Sequence, residues 1–226
     1  MTTFNLTLFE GHPIITENGN RILIDTGSPY NIYSHNQCEF LSKKYAALTN
    51  FNGINIHQFS DLIGTPIDMI MGTSILNDYR VLFDYRNSEI TFGDEKLDMK
   101  GETIHFSKVS GIPILEVELS TRKVQCLLDS GAKLSYLEAN ITRHYKSLRD
   151  ENDFYPGHGH FTIPCFDINT KFGQEDILVG YGNLPGVLSQ LLTSIGKDGL
   201  LGFDFFKNFK LLLDLKNNLL IYQKSN

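Results

Sequence analysis

The sequence predicts an all-β protein with two similar β-barrel-like lobes and few short helices. Three observations support this prediction. The two halves of the 226-residue chain repeat the same pattern of residues. Short apolar or alternating runs, separated by Gly, Asn, Asp and Pro, occur throughout the chain, and such runs are typical of strands. Helical spacing is found in only two segments.

The repeat is clearest in two pairs of segments. Residues 19–33, GNRILIDTGSPYNIY, are similar to residues 123–137, KVQCLLDSGAKLSYL. Residues 69–92, MIMGTSILNDYRVLFDYRNSEITF, align without a gap with residues 199–222, GLLGFDFFKNFKLLLDLKNNLLIY. Chance could produce one such match, but two matches in the same order indicate a duplicated unit.

The duplicated unit defines the expected domain organisation. A shorter match of GHPII (11–15) with GIPIL (111–115) extends the repeat upstream. We therefore expect an N-terminal lobe of residues 1–100 and a C-terminal lobe of residues 101–226. The most polar stretch, residues 94–102, is the predicted link between the lobes.

The predicted strands are apolar or alternating runs bounded by turn residues. They cover residues 3–9, 12–16, 21–25, 80–84, 89–92, 103–106, 112–119, 122–129, 161–168, 209–215 and 219–223. The two predicted helices cover residues 37–48 and 184–196, and Gly196 is a suitable residue to end the second helix.

Composition excludes several classes of function. The formal net charge is −6 and no basic cluster occurs, which argues against nucleic acid or an anionic membrane as a partner. The first residues lack a basic, apolar signal sequence, and no run is long enough for a membrane helix. Three scattered cysteines do not form a disulfide framework. We expect a reducing, cytoplasmic setting.

Asp25 and Asp129 each end an apolar run and begin a turn of small residues. Burying a lone carboxylate costs several kcal/mol unless a partner is present. Two copies of a fold usually pack about a pseudo-two-fold axis. An axis near these turns brings the two aspartates together, with one proton shared between them, because neighbouring carboxylates do not both ionise easily.

At these motifs the sequence resembles aspartic peptidases of the pepsin and retropepsin type. The Asp-Thr/Ser-Gly turns at Asp25 and Asp129 and the apolar-apolar-Gly turns at Gly72 and Gly202 carry the resemblance. In length and duplication the chain resembles small single-chain bacterial retropepsin-like proteins more than secreted pepsins. The resemblance implies a bilobal acid-protease fold and an endopeptidase in which the catalytic residues Asp25 and Asp129 activate a water without a metal or other cofactor.

The resemblance also implies supporting roles for the turn residues. The hydroxyl groups of Thr26 and Ser130 are expected to hydrogen-bond across the axis. Gly27 and Gly131 leave room for the backbone and donate N–H groups to the carboxylates.

The fourth position of the motif differs between the two copies, with Ser28 in the first and Ala132 in the second. A serine hydroxyl here can donate to its aspartate and favour the anion, whereas alanine cannot. We therefore expect an optimum at mildly acidic pH. Gly72 and Gly202 are expected to form turns that pack beneath the aspartate turns.

The family covers its cleft with a β-hairpin flap. Residues 153–168 fit this role in the second lobe, while the predicted helix at 37–48 leaves little room for a flap in the first. We expect one flap, with the Tyr155 ring over a bound peptide and Tyr30 as a cleft wall. The predicted flap residues are Tyr155, Pro156, Gly157, His158 and Gly159.

Other interpretations remain open. Asp25 and Asp129 could be polar turn residues that cap strands, or the chain could be a catalytically silent peptide-binding scaffold that uses the same cleft. His158, His160 and Cys165 could ligate a metal, but no further ligand pattern accompanies them, so no metal is predicted. The expected partner is an extended peptide or protein, with hydrophobic residues at the cut. One chain supplies both aspartates, so a monomer is expected.

Overall fold

The computed structural model describes residues 1–120 and 122–225, apart from the Val187 side chain. The fold is all-β with short helices, which confirms the predicted class. The strands of the first half, residues 1–100, are β1 Thr2–Asn5, β2 Thr7–Phe9, β3 His12–Glu17, β4 Asn20–Ile24, β5 Ile32–Tyr33, β6 Gln37–Phe40, β7 Lys43–Ala46, β8 Asn50–Phe51, β9 Ile54–Asn55, β10 Met69–Met71, β11 Arg80–Asp84 and β12 Glu89–Gly93. Its helices are α1 Ile56–Ile63 and α2 Thr73–Leu76.

The second half, residues 101–226, has longer strands. They are β13 Glu102–His105, β14 Ser107–Val109, β15 Ile112–Leu119, β16 Arg122–Leu128, β17 Ser135–Leu137, β18 Arg149–Tyr155, β19 Gly159–Phe172, β20 Glu175–Asn183, β21 Gly199–Leu201, β22 Phe209–Asp214 and β23 Leu219–Lys224. The helices are α3 Ala139–Thr142, α4 Gly186–Ser194 and α5 Phe203–Phe206. Within the described ranges, no helix is long and apolar enough to span a membrane.

Each half contains a sheet built on the same strand order. The first sheet runs β2-β3-β4-β10-β5, and the second begins β14-β15-β16-β21-β17 before it continues with β20, β19 and β18. In the first sheet, the apolar strand β4 pairs in parallel with β10, which ends just before Gly72. In the second sheet, β16 pairs in the same way with β21, which ends just before Gly202. Among the residues that the structure describes, the second sheet alone closes into a ring, through a pairing of β15 with β19.

A six-stranded sheet joins the halves. Its order is β1-β12-β11-β22-β23-β13, so the two halves meet where β11 pairs with β22 in antiparallel fashion. The central pair of this join is Leu82 opposite Leu212. The terminal strand β1 pairs with β12 of its own half, and β13 likewise pairs with β23. Each half therefore completes its own part of the sheet.

Charged and aromatic contacts reinforce the join between the halves. Lys210 Nζ lies 2.7 Å from Asp84 Oδ2, and Arg80 Nε lies 3.3 Å from Asp214 Oδ2. Both carboxylates are nearly buried. One large hydrophobic core extends through both halves; within it, the rings of Phe83 and Phe206 are 5.3 Å apart.

The predicted helix at residues 37–48 is wrong. This segment forms the β6–β7 hairpin, in which Cys38 and Phe40 are buried while Gln37 and Glu39 are exposed. Burial on every second residue is the pattern of a strand. The longer of the two helices of the first half, α1, lies later in the chain. The predicted helix at 184–196 is confirmed as α4.

Candidate active site

Two matched turns begin where β4 and β16 end. The backbone N–H of Asp25 donates to Met71 O at 2.9 Å, and that of Asp129 donates to Leu201 O at 2.9 Å. The parallel strands β10 and β21 thus fix the position at which each aspartate leaves its sheet. Both side chains then face the same cavity.

The structure brings Asp25 and Asp129 into contact, with a hydrogen bond between their carboxyl groups. Each carboxyl also lies against the glycine of the opposite turn. A Cβ atom on Gly27 would overlap the carboxyl of Asp129, and one on Gly131 would overlap that of Asp25. Glycine is required at both positions because any side chain would separate the pair.

A reciprocal set of hydrogen bonds ties the two turns together. The Thr26 hydroxyl donates to Leu128 O at 2.7 Å, and the Ser130 hydroxyl donates to Ile24 O at 2.7 Å. Each hydroxyl also accepts the backbone N–H of the other residue, at 3.0 Å from Thr26 and 2.8 Å from Ser130. Both residues are fully buried. These four bonds cross between the halves and hold the aspartates in register.

Backbone N–H groups stabilise each carboxylate. Gly27 donates to Asp25 Oδ1 at 2.8 Å, and the N–H groups of Gly131 and Ala132 serve Asp129. The expectation that the Ser28 hydroxyl donates to Asp25 is wrong, because this hydroxyl donates to Tyr30 O at 2.7 Å. The replacement of Ser28 by Ala132 in the second copy therefore does not remove a hydroxyl hydrogen bond from the aspartate.

Gly72 and Gly202 lie beneath the aspartate turns. A Cβ on Gly72 would overlap Tyr30 O, and one on Gly202 would overlap Leu134 O. Two buried side chains that the sequence analysis missed accept their N–H groups. They are Asn31, whose Oδ1 lies 3.1 Å from Gly72 N, and Ser135, whose Oγ lies 2.9 Å from Gly202 N. The available signal was their matched position, the sixth residue after each aspartate.

The ionisation of the pair follows from its surroundings. Burial raises the pKa of Asp25 to about 6, against the lowering effect of its hydrogen bonds with Asp129 and the backbone. Burial and the charge of Asp25 raise the pKa of Asp129 well above its ordinary value. Because burial penalises charge and two adjacent anions repel, the pair retains a proton at pH values where an isolated aspartate is already ionised.

The aspartates lie in a cavity of about 400 Å³ with mostly apolar walls. Tyr155 and Pro156, from the β18–β19 hairpin, are among the lining residues. Gly157 and His158 form the exposed tip of this hairpin, and Gly159 begins β19. The expectation that Tyr30 walls the cleft is wrong: its side chain is 51% exposed and does not line the cavity.

The first half was predicted to have too little room for a flap hairpin, and this reason is wrong. It does contain hairpins, so lack of room does not account for a single flap. The β6–β7 hairpin packs its Phe40 into the main core and does not line the cavity. Phe51, at the β8–β9 hairpin, does line it. A flap role for the β18–β19 hairpin stays a prediction.

A polar group at one side of the cavity was not predicted. It comprises His12, Tyr136 and Asp153, all nearly buried and all lining the cavity. His12 Nδ1–H donates to Gly131 O at 2.8 Å, and the Tyr136 hydroxyl donates to Asp153. The available signal was that His12 and Tyr136 replace isoleucines of the other copy, Ile112 and Ile32.

The sequence interpretation of His158, His160 and Cys165 as metal ligands gains no support from their placement. His158 and His160 are exposed on the hairpin, whereas Cys165 is buried. In the part of the chain that is described, no group of three or more His, Cys, Asp and Glu residues is arranged to hold a metal ion.

The chain has a distant similarity to a protein of known structure. No protein-family model matches this sequence, and no curated protein matches it. Among solved structures, the chain is similar to a retropepsin-like aspartic protease from Rickettsia conorii. The sequence identity is 17% and the TM-score is 0.38, with coverage of 56% of this chain and 95% of that chain.

Proposed function

We propose that this protein is an aspartic-type endopeptidase that uses Asp25 and Asp129 to activate water. The observation that carries the proposal is the contact between two enclosed carboxyl groups, one from each half, at the floor of an apolar cavity. The raised pKa of both groups supports a state with one proton on the pair. Such a pair holds an acid and a base side by side.

The proposed reaction needs both members of the pair. The ionised aspartate accepts a proton from water while the hydroxide adds to the peptide carbonyl carbon, and the protonated aspartate donates to the carbonyl oxygen. The C–N bond then breaks as one aspartate donates its proton to the amine nitrogen. A hydroxyl of the tetrahedral intermediate returns a proton to the other aspartate as the carbonyl forms again, so the pair ends with one proton. The N–H groups of Gly27 and Gly131 stabilise whichever carboxylate is charged.

The proposed substrate is an extended peptide segment. The cavity walls are mostly apolar, which favours bound side chains that are apolar over part of their length. Tyr155 and Pro156 are proposed to cover the peptide from the hairpin side, where they exclude water.

Two further expectations accompany this proposal. A monomer suffices, because residues 1–100 and residues 101–226 each supply one aspartate and are proposed to act as two lobes of one enzyme. The three cysteines, Cys38, Cys126 and Cys165, are buried and free, which is compatible with the cytoplasmic setting that the composition predicts.

The test is turnover of a broad peptide library by the wild-type protein and by Asp25→Asn and Asp129→Asn. We expect cleavage by the wild type and a loss of at least about 1,000-fold in kcat/KM in each variant, because neither retains the acid–base pair. Asp61→Asn removes an exposed carboxylate from α1 and should cleave like the wild type.

Two outcomes would count against the enzyme. Cleavage that persists in Asp25→Asn would show that another group or a contaminant is responsible. Binding of library peptides by a wild-type protein that cleaves none of them across acidic and neutral pH would favour the alternative, a peptide-binding scaffold.

A further inference from the structure

The two sides of the cavity differ at positions that the repeat makes equivalent. Leu23 and Ile70 of the first half correspond to Leu127 and Leu200 of the second, and all four line the cavity. Ile32, however, corresponds to Tyr136. The first-half side is therefore apolar at this position, whereas the second-half side carries a hydroxyl group.

The Tyr136 hydroxyl is hydrogen-bonded to a buried carboxyl group, that of Asp153. It donates to Asp153 Oδ2, and the Phe154 N–H donates to Asp153 Oδ1 at 2.8 Å. Asp153 is only 7% exposed, and it lines the cavity from strand β18, two residues before Tyr155. Both donors are neutral, so they satisfy hydrogen bonds without balancing the charge.

No cation neutralises Asp153 directly. Among the described residues, no Lys, Arg or His lies within ion-pair distance of its carboxylate. Lys133 acts on Asp153 only from a distance, where its charge has a minor lowering effect on the pKa of Asp153, and its ammonium group lies 2.7 Å from Glu10. His12 is nearby, but burial lowers the pKa of its imidazole, which favours the neutral ring.

The surroundings of Asp153 destabilise its ionised form when the cavity is empty. A carboxylate taken out of water without an opposite charge loses solvation that hydrogen bonds only partly replace. Burial accordingly raises the pKa of Asp153. A cation that enters the cavity and contacts the carboxylate would restore the balance, since charge-assisted hydrogen bonds are stronger than neutral ones.

We propose that Asp153 makes the second-half side of the cavity specific for a basic side chain, lysine or arginine, of the peptide substrate. This inference rests on the proposed function. The aliphatic stem of the basic residue packs against Leu127 and Leu200, and its charged end contacts Asp153 and lies beside the Tyr136 hydroxyl. The opposite side, with Leu23, Ile32 and Ile70, takes an apolar side chain.

The experiment compares fluorogenic peptide libraries in which one position at a time holds lysine, arginine or norleucine. Norleucine keeps the aliphatic stem of lysine without its charge. We expect wild type to prefer the basic residues at one position, and Asp153→Asn to reduce the kcat/KM ratio of basic to norleucine peptides at least about tenfold. Asp150→Asn, on the same strand but exposed, is the matched control and should keep the ratio.

A second variant, Asp153→Ser, protects the test against misfolding, because a serine hydroxyl can still accept the Phe154 N–H; thermal unfolding identifies folded variants. A ratio that stays the same in the folded Asp153 variants would overturn the proposal. A wild type that prefers norleucine at every position would also overturn it.

Binding separates this proposal from the proposed function. If the wild type cleaves nothing, affinities of the same lysine and norleucine libraries are measured by fluorescence anisotropy on Asp25→Asn, with and without Asp153→Asn. Tighter binding of the lysine peptides that disappears in the double variant supports the acidic subsite even without catalysis. Equal affinities for the two libraries overturn it.

Discussion

At the scale of single residues, the site depends on small side chains that permit close approach. Gly27 and Gly131 let each carboxyl lie against the opposite turn, and the bonds of Thr26 and Ser130 fix this arrangement. The burial that brings the carboxyl groups together also disfavours their ionised forms, because it removes them from water. Position and ionisation therefore have the same structural origin.

The pH dependence of activity follows from this enclosure. Because the pKa values of Asp25 and Asp129 are both raised, both carboxyl groups are protonated at about pH 3 and no base is present. We expect kcat/KM to rise as the pH approaches the pKa of Asp25, about 6, and to fall where the second proton is lost. Initial rates measured from about pH 3 to pH 9 test this, and a maximum near pH 2 would contradict it.

The residues of the site were predictable to different degrees. Asp25 and Asp129 could be found because a repeated motif marks them twice. Asp153 could not, because it precedes the hairpin tip without any motif, and its burial depends on Tyr136 in a different strand. The role of Ser28 was misjudged because its hydroxyl has a local acceptor, Tyr30 O, that competes with the carboxylate.

At the scale of elements, local signals explain both the correct and the wrong predictions. Helix α1 was missed although Asn55 and Gln58 form a capping box and Gly64 ends the helix in a left-handed conformation. The β6–β7 hairpin was mistaken for a helix because Leu41 and Ser42 form its turn, both with positive φ. Hairpin turns with positive φ at both residues usually contain Asn, Asp or Gly, so Leu41-Ser42 does not signal a hairpin and the alternation of Cys38 and Phe40 is easily overlooked.

The role of the β18–β19 hairpin as a flap over the cavity can be tested by shortening the hairpin. Phe154 pairs with His160, so residues 155–159 can be replaced by Asn-Gly, which favours a two-residue turn. We expect kcat/KM to fall at least about 100-fold because Tyr155 and Pro156 are lost from the cavity. The melting temperature should stay within a few degrees, since the tip is exposed. Full turnover by the shortened, folded protein would contradict a flap role.

At the scale of the whole molecule, the halves are held together by β-strand pairing, side-chain packing and ion pairs. The join between β11 and β22 could not be predicted from strand patterns, because many strands of similar length and composition could have met there. The repeat in the sequence predicts only that equivalent elements lie opposite each other. The matched pairs Asp84–Lys210 and Arg80–Asp214 fit that expectation.

The Lys210–Asp84 pair predicts a pH-dependent contribution to stability. Burial alone would raise the pKa of Asp84, but the hydrogen bonds from Lys210 and Asn87 lower it below its usual value. We expect Lys210→Met to reduce the free energy of unfolding by about 1 to 3 kcal/mol at neutral pH, because it leaves a nearly buried carboxylate without its cation.

The destabilisation caused by Lys210→Met should depend on pH in a defined direction. A carboxyl whose pKa is lower in the folded state stabilises the protein above its unfolded pKa of about 3.9 and loses that contribution as the pH falls through the folded value. The destabilisation should therefore shrink below about pH 4 in urea unfolding experiments. Lys216→Met, at an exposed turn position, is the control. An equal loss at acidic and neutral pH would show that packing rather than charge is responsible.

Both acidic side chains of the pair come from a single polypeptide, which has a consequence for how such a groove can diverge. In an assembly of identical subunits, every substitution appears on both sides of the centre. Here His12 has no counterpart histidine and Tyr136 has no counterpart tyrosine, since isoleucines occupy the equivalent places. When both halves belong to one polypeptide, the two sides of the groove can change independently. Such a groove can then bind a ligand in one direction in preference to the other.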